Sequence, residues 1–234
     1  MKLGILLCGD PPASVLSKHG DFATLFSDLF ATHSIETQTW RVVDMVFPES
    51  VSDADAWLVT GSKHGAYEDH AFIAPLEDFI RATYAAHCRL TGICFGHQII
   101  AQAMGGRVEK FAGGWNIGRK SYAIDGLGTV HLNAWHQDQV VELPLEAEVV
   151  GTSPTCANAA LLYGDTIYTV QPHPELSAPV IATYLDAAWP DGVYPEGVLD
   201  AARPYLNAPN DEARVAAQIA AFLREGRSAI QTAS

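Results

Sequence analysis

The chain has little of what would carry it to nucleic acid, a membrane or a metal. Lysine and arginine together number 14 against 27 aspartates and glutamates in 234 residues, a formal net charge of −13. The basic residues are scattered, and such a surface repels phosphate backbones and anionic lipid, so both kinds of partner are set aside. No apolar run approaches the ~20 residues that a transmembrane helix needs. The apolar opening from Met1 to Cys8 breaks at once into Gly9-Asp10-Pro11-Pro12, with neither a charged leader nor a small-residue cleavage site, and reads as a buried first strand rather than a signal peptide. Cysteine is scarce. Cys8, Cys88, Cys94 and Cys156 form no Cys-x-x-Cys pair, and without an export signal the expectation is reduced thiols in the cytoplasm. The nine histidines show no ligand spacing with these cysteines or with one another, so no metal is expected. Internal repeats, low-complexity tracts and a linker are all lacking. The 48% of hydrophobic residues supply ample material for a core.

What the chain does have centres on Gly92-Ile93-Cys94-Phe95-Gly96-His97-Gln98, with Leu90 and Thr91 leading in and Ile99, Ile100 and Ala101 leading out. This reads as a strand, a very tight turn and a helix. A thiol at such a turn stands clear of the backbone, the glycines remove Cβ atoms that would clash, and the helix aims free N–H groups at an anion forming beside the sulfur. Taken alone, Gly-x-Cys-x-Gly also fits a buried structural cysteine. A second stretch, Val170-Gln171-Pro172-His173-Pro174-Glu175, follows an apolar strand from Thr166 to Val170. Residues two apart at the end of an extended segment point the same way, so Glu175 can hold one imidazole nitrogen of His173 while the other faces a thiol. Cys94, His173 and Glu175 are therefore the candidate catalytic residues. His136 is a rival base, and His173 is preferred to it.

In order, the chain reads as a strand over residues 2–8, a loop over 9–20, a helix over 21–32, a strand over 35–43 and a short buried strand over 56–60. The loop from Gly61 to Asp69 then sits where open α/β sheets bind ligands, although an ordinary turn is an equal reading. A helix over 74–87 delivers the chain to the strand 89–93 and the Cys94 turn, and the next helix ends at Gly105-Gly106. Short strands at 107–110, 117–124, 129–133, 147–152 and 158–163 form a mostly antiparallel section, with residues 134–138 as polar and aromatic punctuation between them. Helices are expected over 178–189, near 197–206 and over 211–224. The fold class is α/β: a doubly wound, mostly parallel sheet flanked by helices, with an antiparallel section. One domain spans 1–234, comprising a core over 1–190 and a C-terminal helical extension over 191–234.

With these motifs quoted, the chain resembles the class I (triad) glutamine amidotransferases and their γ-glutamyl hydrolase relatives over roughly residues 1–190. The resemblance implies their flavodoxin-like fold, with Cys94 as nucleophile, His173 as base and Glu175 as its orienting residue. It further implies an oxyanion hole from the N–H groups of Gly61 and Phe95, and substrate binding by Gln98 and His136. Synthetase-linked members usually carry Gly-Gly-Pro or Asn-Gly-Pro at the oxyanion loop, where this chain has Thr60-Gly61-Ser62. Together with Gly114-Trp115-Asn116-Ile117-Gly118, His136-Gln137-Asp138-Gln139-Val140 and Glu142-Leu143-Pro144, that loop looks more like the stand-alone GMP-synthase-like branch. This branch includes plant γ-glutamyl peptidases acting on glutathione conjugates.

The activity so implied is cleavage of a γ-glutamyl amide, in glutamine or a γ-glutamyl peptide or amine, through a glutamyl thioester and without a cofactor. The nearest competitor is a glutaminase subunit that delivers ammonia to a synthetase partner. A non-catalytic binding member of the fold is disfavoured because all three triad residues are present. A dienelactone-hydrolase-like enzyme would place an acidic residue and then a lone histidine downstream, and His-x-Glu argues against it.

Overall fold

The computed structural model describes residues 1–231, so residues 232–234 of the expected C-terminal extension lie outside the described residues. Its first half alternates strands and helices: β1 (Lys2–Leu6), α1 (Ala13–His19), α2 (Phe22–Leu29), β2 (Glu36–Trp40), β3 (Ala56–Val59), α3 (Ile73–Ala85), β4 (Arg89–Ile93) and α4 (Phe95–Ala103). Strands then dominate: β5 (Arg107–Lys110), β6 (Asn116–Ile124), β7 (Gly128–His136), β8 (Asp138–Glu142), β9 (Ala147–Ser153), β10 (Cys156–Tyr163) and β11 (Ile167–Val170). Helices α5 (Ala178–Leu185), α6 (Glu212–Glu225) and α7 (Ser228–Gln231) follow.

One nine-stranded sheet runs in the order β2-β1-β3-β4-β11-β10-β9-β6-β7. The first five strands are parallel, and the remaining four pair antiparallel. Alternation along the central strands sends Leu3, Ile5 and Leu58 to one face and Leu6, Trp57 and Val59 to the other. The first face is covered by Phe26 of α2, Val180 and Ile181 of α5 and Ile219 and Phe222 of α6. The second is covered by Leu76 and Ile80 of α3 and Ile99 and Ile100 of α4. This is the two-sided burial that a doubly wound sheet requires. Among the described residues, no helix is long and apolar enough to cross a membrane.

Three local expectations are corrected. Residues 13–19, read as loop, form α1; Val15 is its single buried residue, Gly20 closes it at φ 84°, and His19 Nε2 reaches the Thr183 hydroxyl of α5 at 2.9 Å. The helix expected near 197–206 is a 3₁₀ segment over Asp200–Tyr205, because Pro204 inside it has no N–H to give to an α-helical ladder. Residues 134–138 are not punctuation: β7 runs on to His136, and β8 begins at Asp138 and pairs with β5 in a separate two-stranded sheet. That change places His136 and Asp138 on regular backbone.

Candidate active site

The turn between β4 and α4 is held by close approach. A Cβ on Gly92 would lie 2.5 Å from the Gly96 carbonyl, and a Cβ on Gly96 would lie 2.1 Å from the Val59 carbonyl oxygen of β3. Neither position admits a side chain, which is the physical reason for glycine on both sides of Cys94. Between them Cys94 takes φ 54° and ψ −105°, a conformation that costs a non-glycine residue roughly 1–3 kcal/mol and persists only where the surroundings over-determine it. Its N–H donates to the Val170 carbonyl at 3.0 Å, and its carbonyl accepts from the Gln98 N–H at 3.0 Å.

His173 reaches the same edge because β11 lies parallel to β4, with Val170 opposite Ile93. Just past the strand, the His173 N–H donates to the Asn133 carbonyl of β7 at 2.9 Å, and the Asn133 side chain donates to the Leu176 carbonyl at 2.7 Å. Glu175 Oε1 lies 2.6 Å from His173 Nδ1, and both side chains are buried. Nε2 has no hydrogen-bond partner among the described residues and is left for Cys94. Burial by itself disfavours the imidazolium. The Glu175 carboxylate, and after it Cys94, outweigh that penalty and raise the His173 pKa to about 10. The other cysteines lack such a partner: burial pushes Cys8 and Cys88 up and Cys156 up to about 12, so they stay protonated.

The remaining expected site residues gather around this pair. Gly61, just past β3, would bring a Cβ within 3.3 Å of His173 Cε1, so its backbone lies directly against the imidazole. Phe95 is the first residue of α4, and neither its N–H nor that of Gly61 donates to another group among the described residues. Gln98 Nε2 donates to the Asp138 carbonyl at 2.8 Å and to Gln171 Oε1 at 3.1 Å. The same Asp138 carbonyl lies 3.1 Å from His136 Nδ1. A carbonyl only accepts, so His136 carries its proton on Nδ1 and presents Nε2 as an unpartnered acceptor. Burial, reinforced by the charge of His173, lowers the His136 pKa to about 3 and keeps the ring neutral. Asp138 thus ties Gln98 to His136, a link that sequence reading missed because it runs through a backbone carbonyl.

Cys94, Gln98, His136 and His173 line one cleft of about 730 Å³. Its far wall is aromatic, formed by Trp115, Trp135, Tyr184, Trp189 and Tyr194. Sequence reading did not assign that wall, because its members come from four separate segments. His64 and Glu68, which line the cleft, form with His70 the one group among the described residues with metal-ligating atoms gathered together, all within 4.8 Å of one another. Their i, i+4, i+6 spacing was not singled out from the sequence. Glu68 already accepts from His70 at 2.8 Å, and His64 lies 3.6 Å away.

The family model for glutamine amidotransferase class-I matches residues 46–184, more than half of the chain and inclusive of Cys94, His173 and Glu175. The chain belongs to this family. Within it, a glutamine amidotransferase-like protein of Schizosaccharomyces pombe is 27% identical over 95% of this chain and 98% of its own length. Gamma-glutamyl peptidase 3 of Arabidopsis thaliana is 28% identical over 74% of this chain and 76% of its own. A glutamine-hydrolyzing GMP synthase of Burkholderia vietnamiensis is 30% identical over 67% of this chain, which spans only 32% of that protein. Among solved structures, a glutamine amidotransferase from Methylobacillus flagellatus superposes with a TM-score of 0.71 at 21% identity, covering 95% of this chain and 91% of that one. One from Thermotoga maritima also gives 0.71 at 19% identity, covering 99% and 98%. At these identities, the structural matches establish for this amidotransferase chain the shared α/β fold.

Proposed function

We propose that the chain hydrolyses the amide bond of a γ-glutamyl compound, with Cys94 as nucleophile, His173 as base and then acid, and Glu175 as the residue that orients His173. The observation that carries this reading is the convergence, on one cleft, of a strained cysteine at a helix N-terminus and a histidine held by a carboxylate at 2.6 Å. The γ-glutamyl peptidases among its relatives support the same reaction class.

The chemistry follows from the parts. With the proton shared by Cys94 and His173 resting on Nε2, the sulfur attacks the δ-carbonyl carbon, forming a C–S bond. The resulting oxyanion is received by the N–H groups of Gly61 and Phe95. As the C–N bond breaks, the proton on Nε2 passes to the leaving amine nitrogen. Water then gives a proton to Nε2 and attacks the thioester carbonyl. The C–S bond breaks, glutamate leaves, and the sulfur regains its proton from His173. Gln98 and the neutral acceptor on His136 hold the glutamyl portion. The sum is one amide and one water converted to glutamate and a free amine, and no metal or organic cofactor enters these steps.

A second reading, favoured by the likeness to a GMP synthase, is a glutaminase subunit that passes ammonia to a synthetase partner. One assay separates the two. Purified chain is incubated with glutamine, γ-glutamyl peptides and γ-glutamyl amines, and glutamate is followed over time. Steady release from the isolated chain, abolished by Cys94→Ala, is expected. Release that appears only on adding a cell extract would overturn the proposal and leave the subunit reading.

A further inference from the structure

The cleft is chemically two-sided. Its lining includes the polar groups Lys63, Glu68, Gln98, His136 and Asp138, and five aromatic rings that pack on one another. Direction matters here, because the proton that frees the amine comes from His173, so the departing group must lie on the His173 side of the scissile bond. Trp135 borders that side: it stands two residues along β7 from Asn133, whose carbonyl accepts the His173 N–H, and it packs against Tyr184. From Tyr184 the wall continues through Trp135 at a centroid distance of 5.0 Å to Trp189 at 5.8 Å and Tyr194 at 5.7 Å, and Trp115 packs on Tyr194 at 4.7 Å.

These rings are locked from behind. Trp135 Nε1 donates to the Tyr194 hydroxyl at 2.9 Å, and Trp189 Nε1 donates to the Tyr184 carbonyl at 3.0 Å. With both indole N–H groups spent inside the protein, what these two side chains offer a ligand is apolar ring surface, held in place before the ligand arrives. The acidic residues that line the cleft already have partners. Of the acidic residues lining the cleft, Asp10 is paired with Arg41, Glu68 with His70, and Asp138 accepts from Tyr67. Glutamine alone would leave this wall untouched, since its leaving group is ammonia.

Resting on the hydrolase reading above, we infer that the amine released carries a flat aromatic ring, which packs on the wall of Trp115, Trp135, Tyr184, Trp189 and Tyr194. The test compares three γ-glutamyl amides whose amine parts are phenethyl, its saturated cyclohexylethyl counterpart, and trimethylammonioethyl. Hydrolysis by the full chain should favour phenethyl over cyclohexylethyl by about fivefold in kcat/KM, and over the cation by roughly tenfold or more, as expected for ring–ring contact beyond simple area burial. Trp189→Leu should bring the phenethyl-to-cyclohexylethyl ratio toward one, whereas Trp189→Phe should retain most of it. Equal rates for the first two amides, preference for the cation, or a ratio unmoved in Trp189→Leu would overturn the inference.

A direct binding measurement covers variants that fail to fold. The same amides are titrated into the full chain carrying Cys94→Ala, and dissociation constants should follow the same order. That order in binding, with no hydrolysis by the unmodified chain, would remove the proposed reaction and keep the aromatic subsite. Hydrolysis of all three amides at one rate, with equal binding, would do the reverse.

Discussion

Glu175 illustrates how much a single buried carboxylate is asked to do. It touches His173 Nδ1 at 2.6 Å, and its charge is the largest influence holding the proton on the ring against the penalty of burial. Because the folded-state pKa of His173 is raised to about 10, the ring is protonated through neutral pH and loses its proton only in strongly alkaline solution. In Glu175→Gln the raising charge is gone while burial remains, so the alkaline limb of the kcat/KM profile should move to lower pH. Turnover should also fall by ~10²-fold or more, with a smaller change in KM, as for other carboxylates that fix a histidine's tautomer and direction. A pH–rate series on both proteins reads the two effects together. An unmoved limb with unaltered turnover would remove Glu175 from the proposed triad. At this scale the sequence was informative, because His173 and Glu175 stand two apart and local backbone is enough to join them.

At the scale of elements, the site depends on how closely α4 lies on the sheet. Gly96 has no room even for a methyl group beside the Val59 carbonyl, so Gly96→Ala must push α4 away from β3 and shift Cys94 with it. Overpacking of this kind typically costs about 1–3 kcal/mol. We expect a lowered midpoint in urea unfolding with little change in slope, and a loss of thiol reactivity at Cys94 in the fraction that remains folded. Wild-type stability in Gly96→Ala would contradict the packing described. Element type was legible wherever periodicity was strong, as in α2, α3, α4 and the central strands. It failed where a few residues decide. Helix α1 has one buried side chain and hence no stripe to read, and Pro204 diverts an apolar, alanine-bearing stretch into a 3₁₀ turn.

For the whole molecule, the consequential groups are two histidines sealed in the interior. Burial lowers the pKa of both His97 and His136 from 6.5 to about 3, so the folded chain keeps them neutral while the unfolded chain protonates them. With folded values depressed, their effect is absent above about pH 7 and becomes a loss of stability as pH falls through 6.5. Each proton taken up only on unfolding is worth ~1.4 kcal/mol per pH unit, or ~2.7 for the pair. Between about pH 6 and 5, where ordinary carboxylates remain ionised in both states, unfolding free energy should fall at nearly that slope. Replacing either histidine by glutamine should halve it. Denaturant titrations across this window provide the check, and a flat profile would mean that water reaches both rings.

By itself the sequence determined the turn at Cys94, the His173–Glu175 pair, the alternating strands and helices of the first half, and the antiparallel character of the second. Each is local: a glycine two residues either side of a thiol, a carboxylate two residues past an imidazole, an apolar period of 2 or 3.6. Tertiary structure decided which of these local pieces meet. Cys94 and His173 share a cleft because β4 and β11, far apart in the chain, pair in parallel with Ile93 opposite Val170, so both strands release their next residues at one edge. His136 joined them only because β7 continues to it, and Asp138 because its backbone carbonyl bridges His136 and Gln98. The aromatic wall was beyond any local pattern. Its rings lie between Trp115 and Tyr194 on four segments, and side chains that distant become one surface only when the sheet and the C-terminal turns bring them into contact.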